Sequence, residues 1–178
     1  MAKIRLLTIL LLPLLGLSND ISIEISINEQ RLYVLKGSLR THSYAISTSS
    51  YGEGSTANSF KTPLGMHSIQ SMIGEGAEVN TIFKSRINTQ RQAEVIHDHI
   101  DTENDYVTSR ILWLTGEEQG KNAGSGIDSY SRYIYIHGTQ EEGLIGTKAS
   151  HGCIRMFNDD VIKLYNIVNK GTKVNILI

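Results

Sequence analysis

A single cysteine among 178 residues excludes an intramolecular disulfide, and no spaced Cys/His array offers a structural zinc site. Neither sign of charge dominates. The 17 Lys and Arg stand against 18 Asp and Glu, a formal net charge of -1, so the strongly basic surface of a nucleic-acid binder is missing. Only 2 prolines accompany 16 glycines, which excludes a collagen-like chain, and 40% hydrophobic against 20% charged residues excludes disorder. No apolar run reaches the about 20 residues that a spanning helix takes. What is left is one globular domain of ordinary size whose lone thiol needs an explanation.

The longest apolar run, Leu6 to Leu17, follows Lys3 and Arg5 and leads into Ser18. Gly16 and Ser18 are the small residues a signal peptidase needs if it cuts between Ser18 and Asn19. Charged, apolar and small-residue parts in that order predict a signal peptide over residues 1–18 and a mature domain over 19–178. An uncleaved anchor or an N-terminal core helix is the alternative. The expectation is an exported, periplasmic protein with no stable membrane span after cleavage.

In the mature chain Ile21, Ile23, Ile25 and Ile27 alternate with polar residues, the period of a half-buried strand. Two more strands are predicted at Arg31–Leu35 and Leu39–Thr48 around a Lys36-Gly37-Ser38 turn. The Ser47–Ser59 stretch reads as a loop, with a lid over a site as one use for it. Further strands are predicted at Met66–Ile73, Thr108–Leu114, Arg132–His137 and from Val174 to the end. Residues 74–105 are polar and carry no clear period. One helix stands out, with Asn158 as its N-cap, Asp159 and Asp160 at its positive end, and Val161, Ile162, Leu164, Tyr165 and Val168 on its buried face. The predicted fold class is mainly β, a β-sandwich of mixed sheets with one C-terminal helix.

The chemistry concentrates in Ser150-His151-Gly152-Cys153-Ile154-Arg155-Met156. An extended chain here puts His151, Cys153 and Arg155 on one face, where an imidazole and a guanidinium would favour the thiolate of Cys153. Gly152 allows close approach of another chain and leaves the Gly152 and Cys153 amides free to face an oxyanion. A base is available at His137, which shares a strand face with Tyr133 and Tyr135 while Ile134 and Ile136 point into the core. Its second ring nitrogen needs an acceptor, and a backbone carbonyl could serve. Taken alone, a cysteine is most often a buried small hydrophobe and a strand-ending histidine a structural one. In one exported chain with a glycine-flanked cysteine, the pair points to nucleophilic catalysis. His97-Asp98-His99 with Asp101 imitates a metal site but lacks a third ligand, and Trp113, Tyr133 and Tyr135 serve packing as readily as a groove.

His137-Gly138-Thr139 followed by the Ser150–Met156 segment resembles the signature of the L,D-transpeptidase family with the YkuD domain. Gln30-Arg31-Leu32-Tyr33-Val34, Ala45-Ile46-Ser47-Thr48-Ser49 and Lys61-Thr62-Pro63-Leu64-Gly65 extend the resemblance over nearly the whole mature chain. It implies a peptidoglycan enzyme in which Cys153 is the nucleophile, His137 the base and the Gly138 carbonyl the group that orients the imidazole. Ser150, His151 and Arg155 would shape the pocket, and Gly152 and Cys153 would supply oxyanion amides. The implied partners are stem peptides and an amine acceptor, which can be an envelope protein. No metal or organic cofactor is implied. An L,D-carboxypeptidase, or a hydrolase that releases wall proteins, would use the same thioester.

Overall fold

The computed structural model describes residues 20–178, so the signal-peptide expectation for residues 1–18 lies outside the described residues. The described chain forms β1 (Ile21–Ser26), β2 (Arg31–Lys36), β3 (Leu39–Ser47), β4 (Gly65–Ile73), β5 (Thr81–Lys84) and β6 (Ile87–Gln92). It continues as β7 (Val107–Gly116), β8 (Tyr135–Gly138), β9 (Ile154–Met156), α1 (Asn158–Ile167) and β10 (Lys173–Leu177).

All ten strands join one sheet in the order β4-β10-β1-β2-β3-β9-β8-β7-β5-β6, and β4 also pairs with β7. That extra pairing closes a ring from β4 round to β7, and the β5–β6 hairpin hangs off it as a flap. The result is the expected mainly β fold, a barrel-like sandwich of mixed pairing with one helix. The alternating residues of the sequence face inward: Ile23 and Ile25 of β1, Leu32 and Val34 of β2, Leu112 and Leu114 of β7 and Val174 and Ile176 of β10 form one buried cluster. β7 can serve three neighbours because it is long and irregular. It breaks register between Thr108 and Ile111, pairing with β4 along Ile111–Gly116 and with β5 at Val107–Thr108.

The helix begins where expected but is capped differently. Phe157 occupies the cap position and Asn158 is the first helical residue. Instead of closing its own helix, the Asn158 side chain donates to Thr139 O at 2.7 Å and accepts from the Thr108 and Ser109 hydroxyls at 2.6 Å each. Glu142 does the capping, accepting the Asn158 backbone N–H at 2.8 Å. Val161, Leu164 and Val168 bury the inner face while Ile162 and Tyr165 are half-buried.

A second correction concerns Tyr133. Strand β8 starts only at Tyr135, because Tyr133 takes a left-handed backbone (φ 58°) and is 52% exposed. The chain around it is a tight turn, with Tyr133 N–H on Tyr130 O and Ile134 N–H on Ser129 O.

Candidate active site

Strands β8 and β9 lie parallel and adjacent, with Ile136 opposite Ile154 and His137 opposite Arg155. Paired residues on parallel neighbours point to the same side, so Ile136 and Ile154 enter the core while His137 and Arg155 share the other face. Two residues earlier on that face, Tyr135 N–H reaches Cys153 Sγ at 3.4 Å. The expected grouping of Cys153 with Arg155 is present. His151 leaves it, because Gly152 turns the chain (φ 117°) and β9 begins only at Ile154.

The turn that carries the thiol is closed by Ser150. Its hydroxyl donates to Cys153 O at 2.6 Å and accepts the Gly152 N–H at 3.2 Å. The Gly152 amide is therefore engaged, which corrects the expectation that it is free. Gly152 does admit a neighbouring chain: a Cβ there would lie 3.3 Å from Lys61 O, and the Thr62 hydroxyl donates to Gly152 O at 3.0 Å. Ser50 N–H on Ser150 O and Arg132 on the Gly54 and Lys61 carbonyls fix the same loop. The Ser47–Ser59 loop is thus a pinned wall of the site.

Cys153 is half-buried against the cluster of Phe83, Ile111 and Tyr135. Its thiol donates to Tyr133 O at 3.3 Å, a carbonyl that the strained backbone of Tyr133 aims at it. Burial pushes the thiol up to about 12; the Tyr135 N–H, Arg155 and Arg132 pull the other way but lose. The resting group is a neutral thiol, against the sequence expectation of a thiolate. Desolvation outweighed the flanking cations because the site is walled by aromatic and aliphatic groups.

His137 is 2% exposed, and burial pulls its pKa below the usual imidazole value despite the opposing influence of Asp105 and the Gly138 carbonyl. Nδ1 lies 2.7 Å from Gly138 O, which fixes the proton on Nδ1 and leaves the Nε2 lone pair without a hydrogen-bond partner among the described residues. Gly138 must be glycine to sit there, since a Cβ would come within 2.6 Å of Asn158 Oδ1 and 2.9 Å of Thr108 O. No hydrogen bond joins His137 to Cys153 among the described residues.

Several neighbours were invisible in the sequence. Arg155 is fully buried and bridges Glu141 at 2.7 Å and Asp105 at 3.2 Å. The other Asp105 oxygen lies 3.2 Å from His151 Nδ1. Arg86, at the tip of the β5–β6 hairpin, reaches Tyr135 Oη at 3.3 Å and lies over the Trp113 and Tyr133 rings. Asp105, Glu141 and Arg86 come from loops and a hairpin turn with no period, and only their contacts reveal them. Two clefts flank the Asp105–His151 pair. One of about 530 Å³ has Lys84, Arg91, Glu103 and Asp105 in its wall, and one of about 280 Å³ has Phe60, Arg132, Tyr133 and His151. His97 is exposed 3.9 Å from Glu142, and no three-residue His/Cys/Asp/Glu group suited to a metal occurs among the described residues.

The closed β ring carries Cys153 just ahead of β9 and His137 on the adjacent parallel strand β8. The whole of that scaffold is recognisable: residues 20–176 match YkuD, the L,D-transpeptidase catalytic domain, and the chain belongs to that family. YkuD of Bacillus subtilis (strain 168), named for an L,D-transpeptidase, is 53% identical over 49 residues, 27% of this chain and 30% of its own. YcfS of Escherichia coli (strain K12), named likewise, is 43% identical over 49 residues, 28% of this chain and 15% of its own. Among solved structures, L,D-transpeptidase 3 from Mycobacterium tuberculosis, in complex with a faropenem-derived adduct, aligns with TM-score 0.55 at 18% identity, over 89% of this chain and 60% of that one. An L,D-transpeptidase from Mycobacterium smegmatis aligns with TM-score 0.52 at 16% identity, over 89% and 59%. The matched segments span less than a third of the curated relatives, and these two likenesses concern the fold.

Proposed function

We propose that this protein is an exported peptidoglycan L,D-transpeptidase that acts through Cys153 and His137. The observation that carries the reading is the fixed tautomer of His137, whose proton is held on Nδ1 by Gly138 O while Nε2 stays open, on the strand whose Tyr135 N–H reaches the chain's only thiol. A neutral thiol cannot attack an amide, so His137 Nε2 takes the Cys153 proton as Sγ adds to the carbonyl of the third stem residue. The bond to the fourth, D-configured residue breaks, its nitrogen leaves with that proton, and the acyl group remains as a thioester. An amine then attacks, gives its proton to His137, and the new amide releases the thiol. The Cys153 amide receives the oxyanion, since the Gly152 amide is held by Ser150.

A transferase must seat a donor and an acceptor, and separate clefts at Asp105 and at His151 offer room for two chains near the site. The acceptor is another stem peptide, giving a 3→3 cross-link, or a lysine of an envelope protein. Among the described residues no helix is long and apolar enough to cross a membrane. Export rests on residues 1–18, whose cleavage is expected at Ser18–Asn19. Purified protein incubated with tetrapeptide muropeptides should yield cross-linked dimers by mass spectrometry. Tripeptide alone would favour the carboxypeptidase reading, and unchanged substrate would reject both. A carbapenem should form a stoichiometric adduct on the peptide containing Cys153, and none on Cys153→Ala.

A further inference from the structure

The two residues flanking the thiol at a distance of two, His151 and Arg155, are held by one carboxylate that neither the sequence pattern nor the family signature marks. Asp105 Oδ1 lies 3.2 Å from Arg155 Nη1, and Asp105 Oδ2 lies 3.2 Å from His151 Nδ1. The segment that brings it there is tied firmly to the turn after β8. Ile96 N–H donates to Gln140 O at 2.7 Å, Thr102 N–H to Glu141 Oε1 at 2.8 Å, and Tyr106 N–H to Gln140 Oε1 at 3.0 Å. Gln140 returns a bond to Asn104 O. Asp105 is therefore fixed relative to β8, the strand that carries His137, while its side chain grips both ends of the cysteine turn.

We propose that Asp105 is the positioning residue that locks the Cys153 turn against the His137 strand and offsets the Arg155 charge in register with the imidazole. This rests on the transferase reading above. Arg155 sits in register beside His137, and its positive charge opposes a second one on the imidazole. Asp105 and Glu141 together offset that guanidinium. The charged and titratable groups facing the pair are Arg155 from β9, Glu141 behind it, His151 from the turn, Asp105, Arg132 toward the thiol, and Tyr135 of β8 with Arg86 on its hydroxyl. Among them Asp105 is the group that favours a proton on His137, and it adds to the burial that raises the Cys153 thiol.

The test uses the full chain with its histidine rings isotopically labelled. In Asp105→Asn the His137 ring should titrate at lower pH than in wild type. The acidic limb of kcat/KM on a tetrapeptide stem should move down with it, and the plateau should fall about tenfold. Asp105→Glu keeps the charge but misplaces the fork; its acidic limb should stay where wild type has it while the plateau falls. Coincident His137 titrations in wild type and Asp105→Asn would overturn the proposal, and that readout needs no turnover. Should Asp105→Asn not fold, a plateau in Asp105→Glu equal to wild type would overturn it instead. Absence of cross-linking by wild type would defeat the transferase reading while leaving the titration to decide on Asp105.

Discussion

A thiol raised to about 12 by burial is protected as well as unreactive. Thiolate is the species that alkylates and oxidises, so at neutral pH Cys153 is shielded until His137 draws off its proton in the presence of a carbonyl. Iodoacetamide labelling of the free enzyme is thus expected to be slow at pH 7 to 8 and to keep rising through pH 10. A labelling curve that levels off below pH 8 would show a thiolate at rest. His137, pulled below the usual imidazole range by burial, is neutral and able to accept a proton at neutral pH. The acidic limb of kcat/KM is therefore expected below about 6.5, the unperturbed value. His137→Ala should lower acylation by about 10²–10⁴-fold, since that is what general-base catalysis typically supplies, while leaving alkylation at pH 10 intact. A drop confined to less than about threefold would make His137 a structural residue.

The site is held up by its elements, and Asn158 shows how. Its single amide ties the start of α1 to the bulge of β7 and to the turn after β8, with Gly138 packed against it. Asn158→Ala leaves Thr139 O, two hydroxyls and part of Glu142 without their partner in a buried place. Unfolding in urea should show a loss of about 1–3 kcal/mol, with the m-value unchanged, and catalysis should fall because the Gly138–Thr139 turn after His137 loses the side chain it packs on. Full activity at reduced stability would show that α1 and the His137 carbonyl are independent. The same elements show what a sequence can disclose. Strands β1 to β4, β7 and β10 and helix α1 are legible because each buries one face against the ring, which imposes a period on the residues. The β5–β6 hairpin was not, because it lies outside the ring: β6 reads Ile-Asn-Thr-Gln-Arg-Gln, is mostly exposed, and gets its pairing from β5. Cys153 and His137 were legible as chemistry. Asp105 and Glu141 were not, since their meaning depends on Arg155, 50 and 14 residues away.

At the scale of the whole molecule, closing the sheet buries imidazoles in two separate places, and this sets the acid limit of the fold. His67 of β4 is fully buried, with Nδ1 2.9 Å from Gly65 O and Nε2 2.9 Å from Ser129 Oγ. Burial lowers its pKa, as it does for His137. Above about 6.5 both histidines are neutral whether the chain is folded or not, and they add no pH dependence. As pH falls through that value the unfolded chain takes up protons first, so stability declines until the folded-state pKa values are passed. The carboxylates lowered in the fold, Asp105, Glu53, Glu117 and Glu118, act in the same direction but in a lower window, below their ordinary values of 3.8 for Asp and 4.5 for Glu. Between pH 7 and 5 the slope therefore belongs to the histidines. Urea midpoints should be flat from pH 8 to 7 and fall from 6.5 to 5. His67→Gln removes one of the two titrations while keeping a side chain that can donate to Gly65 O. It should be less stable than wild type at pH 7.5, yet lose less on going to pH 5. Parallel declines in the two proteins would mean that His67 is not a site where acid enters the fold.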